Sequence, residues 1–224
     1  MCGRFVRTSE TRVILREFDA DGGGDLDIAP SYNIAPSQVV AAIVNEDDKR
    51  RLALCRWGFV PHWAKDISAV NKAINARAET VATNRAFSSA LKGHRCLVVS
   101  DGFYEWRRNS AAKTPVFIRL KSATSTPFGF AGLYSTRPGA GGGVLHTCTI
   151  ITTTANTLIG KIHHRMPVII HRYDYDLWLG HEADAIPDLL RPYPDDEMEV
   201  AYVSTMVNSP KNNSPECIEP IKII

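Results

Sequence analysis

No apolar run in this chain approaches the roughly 20 residues that a membrane-spanning helix needs. The first twenty residues carry Arg4, Arg7, Arg12 and Arg16 among acidic side chains, with no apolar central stretch, so they do not read as a secretory signal. An excess of charge of one sign is also missing. The net charge of +2 is too small to indicate nucleic acid by itself, although it is silent about a local basic groove. Cysteines are few and scattered: Cys2, Cys55, Cys96, Cys148 and Cys217 are odd in number and include no C-x-x-C pair. That argues against a disulfide framework or a zinc cage and for a reducing compartment, so no metal and no cofactor is expected. Internal repeats, low-complexity tracts and linkers are absent as well. What is there suits one domain over residues 1–224, monomeric and cytoplasmic (nucleoid-associated in a bacterium), because 224 residues fill one core and fall below the size at which chains divide.

Short apolar runs with strand character outnumber helical patterns. Residues 38–45, 51–57, 95–108, 114–120, 127–135, 144–152 and 198–204 read as strands. Residues 8–18 read as a short helix with Val13, Ile14, Leu15 and Phe18 on its apolar face. Further short helices are expected toward 86–92, over "ANTLIGKI" and "RYDYDLWLG", and over 182–190, with loops at 19–25 and 136–143. No strand–helix–strand rhythm appears. The expected class is α+β: a large, mostly antiparallel sheet, curled and barrel-like, flanked by short helices. Cys55, Cys96 and Cys148 lie inside apolar runs and read as core thiols, whereas Cys2, directly behind the initiator methionine, does not.

Polar residues gather beside turns at strand ends. In "DGFYEW" (101–106) alternation puts Tyr104 and Trp106 on one face and Phe103 and Glu105 on the other. A carboxylate on an apolar face is costly unless paired or used; it reads as an edge-strand ion pair or as a proton-transfer group. In "KIHHRMPVII" (161–170) two adjacent histidines precede a strand. If extended, they point to opposite sides, so only one serves a given site. In "INARAET" (74–80) Asn75, Arg77 and Glu79 alternate, giving a solvated face or an anion-binding one. Trp57, Trp63 and Trp106 fit either a core or base-stacking surfaces.

Together with "MCGRF" (1–5), "YNIAPSQ" (32–38), "RWGFVPHWA" (56–64) and "VSTMVNSPKNN" (203–213), these segments stand in one order over nearly the whole chain. The sequence resembles the SRAP family, the SOS-response-associated peptidase domain of the abasic-site processing proteins. The resemblance implies binding of single-stranded DNA and covalent capture of abasic sites through Cys2, with replication-fork proteins as further partners. By motif position it implies Cys2 as nucleophile, with Asn75, Glu105 and His163 as active-site partners. It likewise implies Arg4, Asn33, Pro36, Trp63, Arg77 and Trp106 as the DNA-binding set. His164 stands where the family commonly has Asp, and the spacing to Arg165 and Pro167 matches His163 to the family's catalytic histidine.

The implied chemistry explains position 2. An amine must be neutral to attack the open-chain aldehyde of an abasic sugar. With a pKa of about 7.7–8.0, roughly a third of an α-amine is neutral at pH 7.5, against about 0.1% of a lysine. The amine forms a Schiff base at C1′, and the thiol of the same residue closes a five-membered thiazolidine at high effective concentration. Met1 must be removed first. Ordinary aminopeptidase action suffices for that, so the peptidase activity in the family name is nominal here. Two other readings start from the same residues. An N-terminal-nucleophile amidohydrolase would use the Cys2 amine as base for its own thiol. A passive single-stranded DNA-binding module would be indifferent to Cys2.

Overall fold

A computed structural model describes residues 2–22, 28–64, 73–108, 113–121, 127–139, 142–180 and 186–222. The strands in chain order are β1 (Phe5–Arg7), β2 (Ser31–Ile34), β3 (Val39–Glu46), β4 (Lys49–Trp57), β5 (Asn75–Arg77), β6 (Arg95–Ser100), β7 (Gly102–Arg108), β8 (Lys113–Leu120), β9 (Phe128–Pro138), β10 (Val144–Thr154), β11 (Arg165–Pro167), β12 (Ile169–Ile170) and β13 (Met198–Tyr202). Short helices sit between them: α1 (Thr11–Phe18), α2 (Ser88–Gly93), α3 (Thr157–Gly160), α4 (Tyr175–Leu179) and α5 (Ile186–Leu189). The α+β reading holds. The last expected helix is present at Ile186–Leu189; its residues 182–185 lie outside the described ones, as do 23–25 and 140–141 of the expected loops.

The curl is a closed circuit. β4 pairs with β3, β3 with β6, β6 with β9, β9 with β10, and β10 returns to β4; only that last step is parallel. Period-2 alternation sorts the side chains. Val40, Ala42, Val44, Cys55, Trp57, Cys96, Val98, Phe130, Cys148 and Ile150 meet in one cluster. Their neighbours Ala41, Ile43, Leu97, Val99, Ala131, Leu133 and Ile151 face the other way and pack against Ile14 and Phe18 of α1, Ala90 of α2 and Trp178 of α4. Ile14 and Phe18, four apart, are the α1 side chains that the helix buries completely.

A second sheet, in the order β13-β8-β7-β1-β2, packs onto the first cluster through Phe5, Ile34, Phe103, Val116 and Ile118. The Phe5 ring meets Trp57 and Phe130 edge-on, with centroids 5.1 and 5.8 Å away. Where β7 begins, backbone crowding demands a residue without a side chain. A Cβ on Gly102 would lie 2.9 Å from the Ile118 carbonyl oxygen and closer still to the Phe117 ring. Gly102→Ala is expected to cost about 1–3 kcal/mol of stability, read as a lower midpoint in urea unfolding. An unchanged midpoint would contradict this packing.

Candidate active site

The chain start is held by β1. Phe5 pairs with Phe103 of β7 and Ile34 of β2, and the Tyr104 N–H donates to the Arg4 carbonyl at 2.9 Å. Three residues upstream of Phe5, Cys2 is fully buried. Its carbonyl oxygen accepts a hydrogen bond from Asn75 Nδ2 at 2.9 Å. Burial pushes the Cys2 thiol far above its ordinary range, and the nearby Glu105 carboxylate pushes it the same way. The Arg4 backbone N–H, donated to the sulfur, offsets part of this. The thiol is therefore kept protonated.

Asn75 is positioned by β5, which runs parallel to β10 with Asn75 opposite Ile150. The preceding Ile74 carbonyl takes the Trp57 indole N–H at 2.9 Å. Asn75 Oδ1 is buried and has no hydrogen-bond partner among the described residues. Glu105 reaches the site from β7. Phe103 lies in the cluster with Phe5, whereas Tyr104 and Trp106 pack on the opposite side with Val6, Phe117 and Val203, as alternation predicts. Glu105 is only 4% exposed.

His163 arrives from the other direction. Asn156 caps α3 by accepting the Ile159 N–H, and the His163 N–H donates to the Ile159 carbonyl at 2.9 Å. The Arg165 N–H donates to His163 Nδ1 at 3.0 Å, and the Arg165 carbonyl lies 3.2 Å from the same nitrogen. Nδ1 thus has a donor for the neutral ring and an acceptor for the protonated one, within one residue. Burial lowers the His163 pKa, while Glu105 opposes with its charge. Glu105 is thus near both Cys2 and His163, and Asn75 bonds Cys2 directly, so the four expected catalytic residues converge.

The two histidines do not diverge as an extended segment would have them. Residues 163–164 leave the turn after α3 rather than a strand, and their rings stack with centroids 4.4 Å apart. Glu79 also departs from the expected alternation. β5 ends at Arg77, and Glu79 sits in the following turn, where it takes both terminal nitrogens of Arg165 at 2.5 and 3.0 Å. Arg165, 9% exposed, also donates to the Thr152 carbonyl. This ion pair, between a buried guanidinium and an exposed carboxylate, fixes the segment that carries His163. A guanidinium beside "MPVII" is its trace in the sequence, because an arginine in an apolar strand needs a buried acceptor.

Five of the six residues of the expected DNA-binding set fall into two groups. Arg77 is exposed, and Trp63 is 49% exposed with the Arg85 guanidinium 5.0 Å over its ring. Arg4, Asn33 and Trp106 are instead tied to one another and to the C-terminal segment. Arg4 Nη1 donates to Asn33 Oδ1 at 2.6 Å and to the Val207 carbonyl at 2.8 Å, with its guanidinium 5.8 Å from the Trp106 centroid. Trp106 Nε1 donates to Asn208 Oδ1 at 2.6 Å. Asn33, 1% exposed, gives its amide N–H groups to the carbonyls of Val207, Ser209 and Asn212. Buried and bonded in this way, Asn33 acts as a strut between β2 and the C-terminal segment. Pro36 is half-buried in the turn after β2. Glu79, Arg85, Val207 and Asn208 carry no sequence signal of their own for these roles.

The family model for the SOS response associated peptidase (SRAP) matches residues 1–210. Among curated proteins, the abasic site processing protein YoqW of Bacillus subtilis is 45% identical over 223 residues, covering 98% of this chain and 99% of that one. The abasic site processing protein HMCES of Gallus gallus is 32% identical over 225 residues, covering 87% of this chain and 67% of that one. A crystal structure of a protein from Bacteroides thetaiotaomicron superposes with a TM-score of 0.87 at 23% identity, over 99% of this chain and all of that one, which is a likeness of fold.

Proposed function

The chain belongs to the SRAP family, and from that premise we propose that it processes abasic sites in DNA by covalent capture on Cys2. The observation that carries the proposal is the convergence of Asn75, Glu105 and His163 on the second residue of the chain. Both sheets share one core cluster, which favours reading residues 1–224 as a single domain.

Once Met1 is removed, Cys2 presents an α-amine and a thiol. Asn75 holds its carbonyl and fixes the direction in which the amine points. Glu105 accepts the ammonium proton, and the free amine adds to C1′ of the open-chain sugar. His163 gives a proton to the departing oxygen, water leaves, and the imine forms. The thiol then adds to C1′, its proton passing by way of Glu105 or His163 to the nitrogen. The thiazolidine forms with the net loss of one water. A thiol held protonated by burial suits this order, because it stays unreactive toward solutes until the imine has formed beside it. No metal or cofactor enters any step.

Arg77 and Trp63 are the contacts offered to single-stranded DNA: a guanidinium for phosphate and an indole face for a base. Arg4, Asn33 and Trp106 act on the same site by locking the segment behind Cys2. Binding is then sequence-tolerant and salt-sensitive, with a slope in log–log form of about −0.7 for each phosphate neutralised.

The test compares a single-stranded oligonucleotide carrying one abasic site with the same oligonucleotide intact. The expected result is a heat-stable shifted band on a denaturing gel with the abasic strand only, its yield falling as salt rises. Equal binding to both strands and no covalent band would favour a passive DNA-binding module. Ammonia release from glutamine without a band would favour the amidohydrolase.

A further inference from the structure

We propose that His164 is a positioning residue for the proton on His163: stacked ring to ring, it decides how far into the acid range His163 stays neutral. The inference rests on reading His163 as the acid–base group of the site. The two rings lie with centroids 4.4 Å apart and planes within 26°. His164 is exposed and His163 half-buried. Water solvates a positive charge on the exposed ring more fully than on the half-buried one. A second proton would then place two imidazolium ions face to face at van der Waals distance, and His163 resists it.

The groups around His163 make this balance matter. From β7, the Glu105 carboxylate favours the protonated ring. The Arg165 carbonyl at 3.2 Å favours it too, while the Arg165 N–H at 3.0 Å favours the neutral one. His164 opposes a second positive charge on His163. With His164 neutral or absent, Glu105 gains the advantage and His163 keeps its proton to higher pH. The outer imidazole is thus a counterweight to the inner carboxylate.

NMR titration of the His163 Cε1–H signal in the DNA-free full chain tests this directly, with the signal assigned by its loss in His163→Gln. His164→Asn removes the outer charge and should raise the His163 midpoint by about half a unit to one unit. His164→Lys, a fixed cation, should leave the midpoint at or below that of the unaltered protein. A His164→Asn midpoint equal to or lower than that of the unaltered protein overturns the proposal. The acid limb of adduct formation should follow the His164→Asn shift. If the NMR midpoint moves and the limb does not, the proton balance stands, and it is the role of His163 in capture that fails.

Discussion

Cys2→Ala folds normally and gives no heat-stable adduct with abasic single-stranded DNA. The variant separates the two nucleophiles that Cys2 combines. Its residue 2 still carries an α-amine once Met1 is removed, and of the backbone bonds around it only the Arg4 N–H to the sulfur is lost. Asn75 still donates to the carbonyl of residue 2, and Phe5 still pins β1 between Trp57 and Phe130. The imine therefore forms but cannot close to a ring, and it hydrolyses on heating. Borohydride reduction should convert it to a stable secondary amine, so a covalent band appears only when the reductant is present. Loss of the band both with and without reductant would mean that residue 2 is misplaced. A heat-stable band at the original yield would mean that the thiol is not used, and the proposed ring closure would be wrong.

Glu105→Gln should slow capture on the order of 10²-fold or more while leaving non-covalent affinity for intact single-stranded DNA unchanged. The substitution is nearly isosteric, and Glu105 at 4% exposure offers DNA almost no surface, so binding has no reason to change. What is lost is a buried base placed between the two groups that exchange protons. The sign of the accompanying pH effect follows from the charge. Glu105 raises both the Cys2 thiol and the His163 imidazole, so its neutralisation lowers both. His163 in the variant should then lose its proton at lower pH than in the unaltered protein. A capture rate within twofold of the original would remove Glu105 from the chemistry and leave it a structural carboxylate.

Much of the fold was legible because it follows from local pattern. The alternation in 38–57 and 95–106 gave the strands and their buried faces, and it placed Glu105 opposite Tyr104 and Trp106 before any contact was known. The closure of five strands into a barrel was legible only as a tendency to curl, since it depends on the pairing of β4 with β10, which are far apart in sequence. The site divides in the same way. Cys2, Asn75, Glu105 and His163 each carry a motif, and the geometry brings them together. The strut made by Arg4, Asn33 and the C-terminal segment was not legible, because Arg4 reaches a carbonyl 203 residues away and any arginine near a DNA site reads first as a phosphate ligand. The stacking of the two histidines has a simpler cause: they leave a helical turn, where period 2 does not hold and neighbouring rings can lie side by side.

The central claim is that Cys2 reacts through its own α-amine as well as its thiol. Intact mass measured before and after incubation with an abasic oligonucleotide, followed by heating, tests both parts at once: an open imine has the mass of the closed ring but hydrolyses on heating. The predicted protein mass is that of the 224-residue chain less its methionine. The predicted adduct is the sum of that protein and the oligonucleotide less one water. A protein that retains Met1 and still forms the adduct, or an adduct whose mass is the plain sum with no water lost, would contradict the account.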